Sequence, residues 1–168
     1  MKKFNINVDI DQLEEVIHKI RINQGGLNLD ITDVGFGISQ VMPIIAQCYL
    51  ARTNSITFIE QPEIHLHPKM QAELADLFIE TCIDNLGKKN FIIETHSEYI
   101  LKRLRRRISE KKISASDVGI YFIHPKGESE NSARIEEIEI SNSGDFAWPK
   151  DFYADELEDT IEFLKNQK

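Results

Sequence analysis

Two short, mostly apolar runs each end in an acid. Ser55-Ile56-Thr57-Phe58-Ile59 closes on Glu60, and Asn90-Phe91-Ile92-Ile93 closes on Glu94. Gln61-Pro62-Glu63 follows the first acid, and Thr95-His96-Ser97 follows the second. A carboxylate closing a buried strand is costly unless it meets a donor or a cation. Mg²⁺ suits such a position, because it dehydrates reluctantly and is held through water and one or two carboxylates. An imidazole at the neighbouring strand end serves as donor or acceptor toward a phosphate oxygen. The plainer role for Glu60 is a capping or ion-paired carboxylate. His65-x-His67, with His96, has a spacing that zinc accepts, but no cysteine or further histidine assists it, and polarity at a helix start explains His67 before Pro68 equally well.

These residues need elements to hold them. Ser55 to Glu60 and Asn90 to Glu94 read as buried parallel strands, from their β-branched and aromatic content. Residues 68–86 form a helix with Leu74, Leu77, Phe78 and Cys82 on one stripe and Gly87 at its C-terminal end. Residues 98–108 form another, with Ile100, Leu101, Leu104 and Ile108 inward and arginines outward. Upstream, residues 11–22 space Leu13, Val16, Ile17 and Ile20 as a helix does, and 27–31 alternate as a short strand. The Gly-punctuated loop 33–37 opens an apolar helix from about residue 38 to 51, with Pro43 near its first turn. Strands follow at 118–123 and 133–140, then an aromatic loop at 146–153 and an amphipathic helix at 154–166. The alternation predicts an α/β fold with a mainly parallel sheet flanked by helices and a short C-terminal strand and helix appendage. In an open parallel sheet, ligands gather at the carboxyl ends of the strands, where the two acids stand.

The chain of 168 residues, 41% hydrophobic, supports a packed domain of ordinary size. No apolar run approaches the length of a membrane span. Cys48 and Cys82 sit in helical patterns and read as small core residues, which implies a reducing compartment, the cytoplasm. The net charge of −8 argues against nucleic-acid binding by the molecule as a whole. It is unevenly spread: residues 99–112 hold seven bases against one acid, whereas 129–168 hold eleven acids against four bases. Arg103, Arg105, Arg106 and Arg107 therefore suit either nucleic acid or a solvated helix face neutralised by the acidic tail. Phe146 and Trp148 suit either a partner-binding patch or the fastening of a C-terminal segment.

A mostly apolar strand ending in an acid, a polar residue after it, and a histidine at the next strand end form the ordered set of a Walker B strand and a γ-phosphate sensor. The run from Ile56 to Pro68, followed by Phe91 to Ser97, closely resembles the C-terminal half of an ATP-binding-cassette-like ATPase. It is most similar to bacterial AAA-type ATPases related to the overcoming-lysogenization-defect proteins and to SMC-like DNA-repair ATPases, many of which belong to defence systems against phage. The similarity covers residues 32–123, and Phe146-Ala147-Trp148-Pro149 through Leu157 resembles a small C-terminal domain found in one subgroup. The resemblance implies a C-terminal ATPase lobe at residues 1–125 and an appendage at 126–168. Glu60 then becomes the Mg²⁺ carboxylate. Gln61 falls where a catalytic glutamate often stands, and His96 becomes the switch histidine. Asp33, Gly35, Gly37, Ser39 and Gln40 lie in a signature-like loop facing the γ-phosphate held by a second protomer, although capping explains Asp33 and Ser39 equally well. Residues 65–68 fall where a loop crosses the dimer interface.

Two departures shape the expectation. An amide at Gln61 cannot act as a general base, so it orients water at most, and Glu63 is the substitute to consider. No Gly-x-x-x-x-Gly-Lys-Ser/Thr occurs in these residues, so the cradle for the β- and γ-phosphates must come from elsewhere. ATP and Mg²⁺ are therefore expected only with an N-terminal P-loop lobe or a split partner chain, in a homodimer of heads. The competing readings are an interaction module without turnover and a metal-dependent nuclease fragment built on Glu60, Glu63 and the histidines.

Overall fold

The computed structural model describes residues 7–12, 18–24, 26–83, 89–127, 132–149, 152 and 154–167. The chain divides into two compact units, Met1–Arg106 and Arg107–Lys168.

The first unit opens with three antiparallel strands, β1 (Asn7–Gln12), β2 (His18–Gln24) and β3 (Leu27–Asp30), in the order β1-β2-β3. The helix expected over residues 11–22 is thus corrected: its described residues 11–12 and 18–22 are strand. Of the four residues that carry the 3.6-residue spacing, Leu13, Val16 and Ile17 lie outside the described residues and Ile20 lies in β2. The described residues follow a period of two instead. Val8 pairs with Ile22, which pairs with Leu29, and this row of side chains turns into the core. Cross-strand pairing of β-branched residues decides the local state, against a helical spacing of weak propensity. The β2–β3 turn is bracketed by a hydrogen bond from Asn23 Nδ2 to Asn28 Oδ1 at 2.8 Å.

Helix α1 (Phe36–Leu50) follows, then β4 (Ile56–Glu60), α2 (Pro68–Ile83), β5 (Asn90–Glu94) and α3 (Glu98–Ser109). β4 and β5 pair in parallel, with Ile56 opposite Asn90 and Glu60 opposite Glu94. α2 is the crossover between them, as parallel pairing requires. Gly87, expected to cap α2, lies outside the described residues. One core joins these elements: Ile22, Val34, Val41, Ile45, Cys48, Leu66, Leu74, Leu77 and Phe78, with Ile59, Phe91 and Ile93 against it. Lys89 is buried, and its Nζ donates to the carbonyls of Cys48 and Tyr49, both at 2.9 Å. It thereby satisfies acceptors that the end of α1 leaves open. Pro43 lies inside α1 rather than in its first turn, because the helix starts at Phe36.

The second unit contains a 3-10 turn (Ala115–Asp117), β6 (Ile120–His124), β7 (Arg134–Ile138) and α4 (Ala154–Lys165). β6 and β7 pair antiparallel, from Ile120 opposite Ile138 to His124 opposite Arg134. The α/β class holds, but parallel pairing among the described residues is confined to β4–β5. Residues 125–133 are too short for a crossover of about a dozen residues, so β6 closes a hairpin instead. Phe146, Trp148 and Phe152 stack in sequence, with ring centroids 4.9 Å and 5.0 Å apart. α4 leaves Ile161, Phe163 and Leu164 exposed.

Candidate functional site

Parallel pairing sets Glu60 and Glu94 side by side at the carboxyl ends of β4 and β5. Alternation along each strand places both on the outward face, with Ile56, Phe58 and Ile92. Neither acid is buried, and among the described residues no hydrogen bond or ion pair engages the Glu60 carboxylate. Like charges in register repel, so this strand end favours a cation. The capping reading of Glu60 therefore finds no partner among the described residues.

Beyond Glu60 the chain turns sharply. The Gln61 N–H still donates to the Glu94 carbonyl at 2.8 Å, extending the ladder by one step. Gln61 itself has φ 44° and His65 has φ 61°, both in the left-handed region. A non-glycine residue held there costs on the order of 1–3 kcal/mol and marks a constrained turn. The Leu66 N–H donates to the Glu63 carbonyl at 3.0 Å, while Pro62, Glu63 and Leu66 are buried beneath the loop. The His67 carbonyl accepts from Met70 N–H and Gln71 N–H, and its Nδ1 accepts from Lys69 N–H at 3.3 Å. His67 thus starts α2, as its place before Pro68 suggests. Among the described residues no three His, Cys, Asp or Glu side chains gather as a metal-binding group, so His65, His67 and His96 do not assemble a zinc site.

Glu63 points inward. Only 9% of it is exposed, and Oε1 accepts from the His96 N–H at 2.7 Å, while the buried Oε2 has no partner among the described residues. His96 keeps its ring exposed, so only its backbone is fixed. Ser97 is buried; its Oγ donates to Gln71 Oε1 at 2.6 Å and accepts from Ile100 N–H at 3.2 Å, starting α3. Gln71 Nε2 donates in turn to the Leu66 carbonyl at 2.9 Å.

The loop before α1 packs onto the same region. A Cβ at Gly37 would lie 2.5 Å from the His65 carbonyl oxygen, so only glycine permits this approach. The Phe36 ring meets the His65 ring edge to face, with centroids 4.9 Å apart. Gly35 begins α1 without a side-chain cap, and no acid stands in its first turn. Ser39 Oγ donates to the Phe36 carbonyl at 2.8 Å, a local backbone bond within α1. Asp33 and Gln40 are exposed. The structure thus joins three sequence motifs: the loop at Gly35 and Gly37, the segment 60–67 and the segment 94–97. Gln71 was not legible as a site residue in the sequence. Its only signal is a polar side chain near the start of an apolar helix. Glu94 was visible as a strand end, but its pairing with Glu60 required the register.

The arginines of α3 are engaged within the protein. Arg103 pairs with the buried Asp76, and Arg107 pairs with Glu110. Arg105 and Arg106 also have intramolecular partners. Lys102 pairs with Glu98 one turn earlier. The charge run therefore behaves in large part as a neutralised helix face.

Cys48 is fully buried and Cys82 is half-buried. Burial pushes the Cys48 thiol up to about 12, with the nearby Cys82 adding to the effect, and burial likewise raises Cys82. Both behave as the neutral core residues the sequence suggested. A separate cavity of about 840 Å³ lies in the second unit, lined by residues including His124, Arg134, Glu136, Phe146 and Trp148. No helix among the described residues is long and apolar enough to cross a membrane.

An α/β layer with a parallel strand pair presents its carboxyl strand ends, and here two acids, as the place where a ligand gathers. Residues 1–101 match the model of the AAA ATPase domain family, and the chain belongs to that family. No curated protein matches it. A solved SMC ATPase structure, from work on ATP-driven dimerization and DNA-stimulated activation of SMC ATPases, shares the fold with a TM-score of 0.59. The two are 12% identical, and the match covers 94% of this chain and 82% of that one.

Proposed function

We propose that this chain is the Walker B and switch-bearing lobe of an ATPase that couples Mg-ATP binding and hydrolysis to the pairing of two heads. The observation that carries this reading is Glu60 beside Glu94 at the ends of β4 and β5, outward-facing, with the His96 loop directly beyond. When bound, Mg²⁺ supplies charge neutralisation on the nucleotide phosphates. Glu60 holds the ion, and its unengaged carboxylate fits that role. Gln61, held in a left-handed turn at the same strand end, orients the attacking water through its amide. His96, with a fixed backbone and an exposed ring, donates to a phosphate oxygen. The uncapped start of α1, with Asp33, Gly35, Gly37, Ser39 and Gln40 around it, offers N–H groups to the phosphate of a second head.

The missing cradle must come from a P-loop-bearing lobe, whether in the same polypeptide or in a split partner chain. The exposed face of the β4–β5 pair supports a docking position for that lobe. Ile56, Phe58 and Ile92 are 59%, 72% and 53% exposed, on the same face as Glu60 and Glu94. Parallel strands are ordinarily covered on both faces. A lobe that brings phosphates to Glu60 covers this apolar face as well. The SMC neighbour's ATP-driven dimerization and DNA-stimulated activation support a head dimer and a nucleic-acid-linked partner activity, with defence against phage as one setting. The engagement of Arg103 and Arg107 directs any nucleic-acid contact away from those two side chains.

Complementation tests the proposal. The chain joined to or mixed with a P-loop-bearing lobe is expected to release phosphate from ATP in a Mg²⁺-dependent way, and Glu60→Ala is expected to abolish the release. Release undiminished by Glu60→Ala removes Glu60 from the metal role. The chain by itself is expected to bind ATP weakly, and a nanomolar to low-micromolar affinity would contradict the need for a second lobe.

A further inference from the structure

Glu63 is difficult to explain as a stability device. A neutral acceptor would take the His96 N–H with less desolvation than a carboxylate whose other oxygen is buried with no partner among the described residues. A charged acceptor makes a shorter and stronger bond than a neutral one, and so holds its donor more firmly. A second tie runs parallel to it. Gln71 reaches back to the Leu66 carbonyl with its Nε2 and receives the Ser97 hydroxyl on its Oε1. Both ties join the segment after β4 to the segment after β5. Between them, residues 61–66 and 96–97 are connected at two points in addition to the ladder bond from Gln61 to Glu94. Gly37 then seats the start of α1 against His65 on the same block.

We infer that Glu63 and Gln71 form a two-point clamp that fixes the His96 loop against residues 61–66. They are positioning residues: they act through the His96 backbone and not on the nucleotide. The consequence deepens the ATPase reading, on which it rests. A displacement of His65 or Leu66 by a second head is transmitted through the two ties to the His96 backbone, so head pairing sets the point from which the phosphate-facing ring projects. Glu63 is thereby assigned a role other than a replacement base for Gln61, since its bonded oxygen is committed to the main chain.

Amide hydrogen exchange on the full chain, read residue by residue by NMR, measures the clamp directly. Glu63→Ala is expected to speed exchange at the His96 amide by at least about tenfold, the loss expected for a hydrogen bond to a charged group. Glu63→Gln, which keeps an acceptor oxygen, is expected to recover most of the protection. Gln71→Ala is expected to loosen the 96–97 segment, while the α2 core amides at Leu74, Leu77 and Phe78 keep their protection. Unchanged exchange at His96 in Glu63→Ala overturns the inference, and so does an equal loss across α2, which would mark a general structural role. The second arm is steady-state hydrolysis with the P-loop lobe supplied. Glu63→Ala is expected to lower kcat about tenfold or more with little change in the KM for ATP, and Glu63→Gln to recover a large part of it. A wild-type kcat in Glu63→Ala, with Glu60→Ala inactive, defeats the clamp and leaves the ATPase reading standing. Full hydrolysis in Glu60→Ala defeats the ATPase reading itself.

Discussion

The two faces of the β4–β5 pair are built differently. On one, Thr57, Ile59, Phe91 and Ile93 turn toward α1 and α2, and Ile59, Phe91 and Ile93 pack on the core. On the other, Ile56, Phe58 and Ile92 are exposed, although they are as apolar as their neighbours. Both faces are written in the alphabet of a doubly covered parallel sheet, and only one is covered by described residues of this chain. The covered face makes the fold stable. The open face ends in Glu60 and Glu94, where the proposed Mg²⁺ carboxylate and the proposed docking of a second lobe fall.

The comparison breaks most visibly under core truncation. Leu74→Ala removes a fully buried side chain beneath the covered face and is expected to cost about 2–5 kcal/mol, read by urea denaturation of the chain. Arg103→Ala removes a charged hydrogen bond to the buried Asp76. It is expected to cost about 1.5–3 kcal/mol, with little change in net behaviour toward salt if the pair is structural. Gly37→Ala is expected to cost about 1–3 kcal/mol, since its methyl meets the His65 carbonyl. It should also shift the His65 and Leu66 amide resonances.

A pH effect of similar size follows from Cys48. Its folded-state value is raised to about 12 from an ordinary 9.0, so its contribution is fully present below pH 9. As pH climbs from there toward 12, the unfolded chain releases the thiol proton and the folded chain keeps it. Stability is expected to fall by about 1.4 kcal/mol per pH unit in that window, and Cys48→Ala is expected to flatten the slope in thermal melts. The smallest effect belongs to the open face. Phe58→Thr is expected to change the stability of the lone chain by no more than about 0.5 kcal/mol, yet to weaken complementation by a P-loop lobe severely. A large loss of stability in Phe58→Thr alone would show that the face is covered within the chain, and would remove its reading as a docking surface.

Much of the candidate site was legible in the sequence because strand ends, glycines and histidines announce themselves by type. Glu60, Gln61, His96 and Gly37 were singled out that way as candidates. The pairing of Glu60 with Glu94, and the inward turn of Glu63, depend on register and backbone twist, which no local pattern encodes. In the N-terminal sheet β3 was legible as the alternation over 27–31, whereas β2 reads as a helix because Leu13, Val16, Ile17 and Ile20 fit a helical period, and the pairing of Ile22 with Val8 and Leu29 is a long-range fact. The β6–β7 hairpin was legible as two strands, 118–123 and 133–140, separated by a short polar segment. The covering of only one face could not be seen, since Ile56 and Ile59 look alike in sequence and differ only in what lies over them.

The central claim is that the outward carboxylate closing β4 holds Mg²⁺ for a nucleotide cradled by another lobe. Phosphate release by the reconstituted pair of lobes, with Glu60 intact and with Glu60→Ala, measures that claim most directly. The account predicts Mg²⁺-dependent release from the first and none from the second. Equal release from both would contradict it.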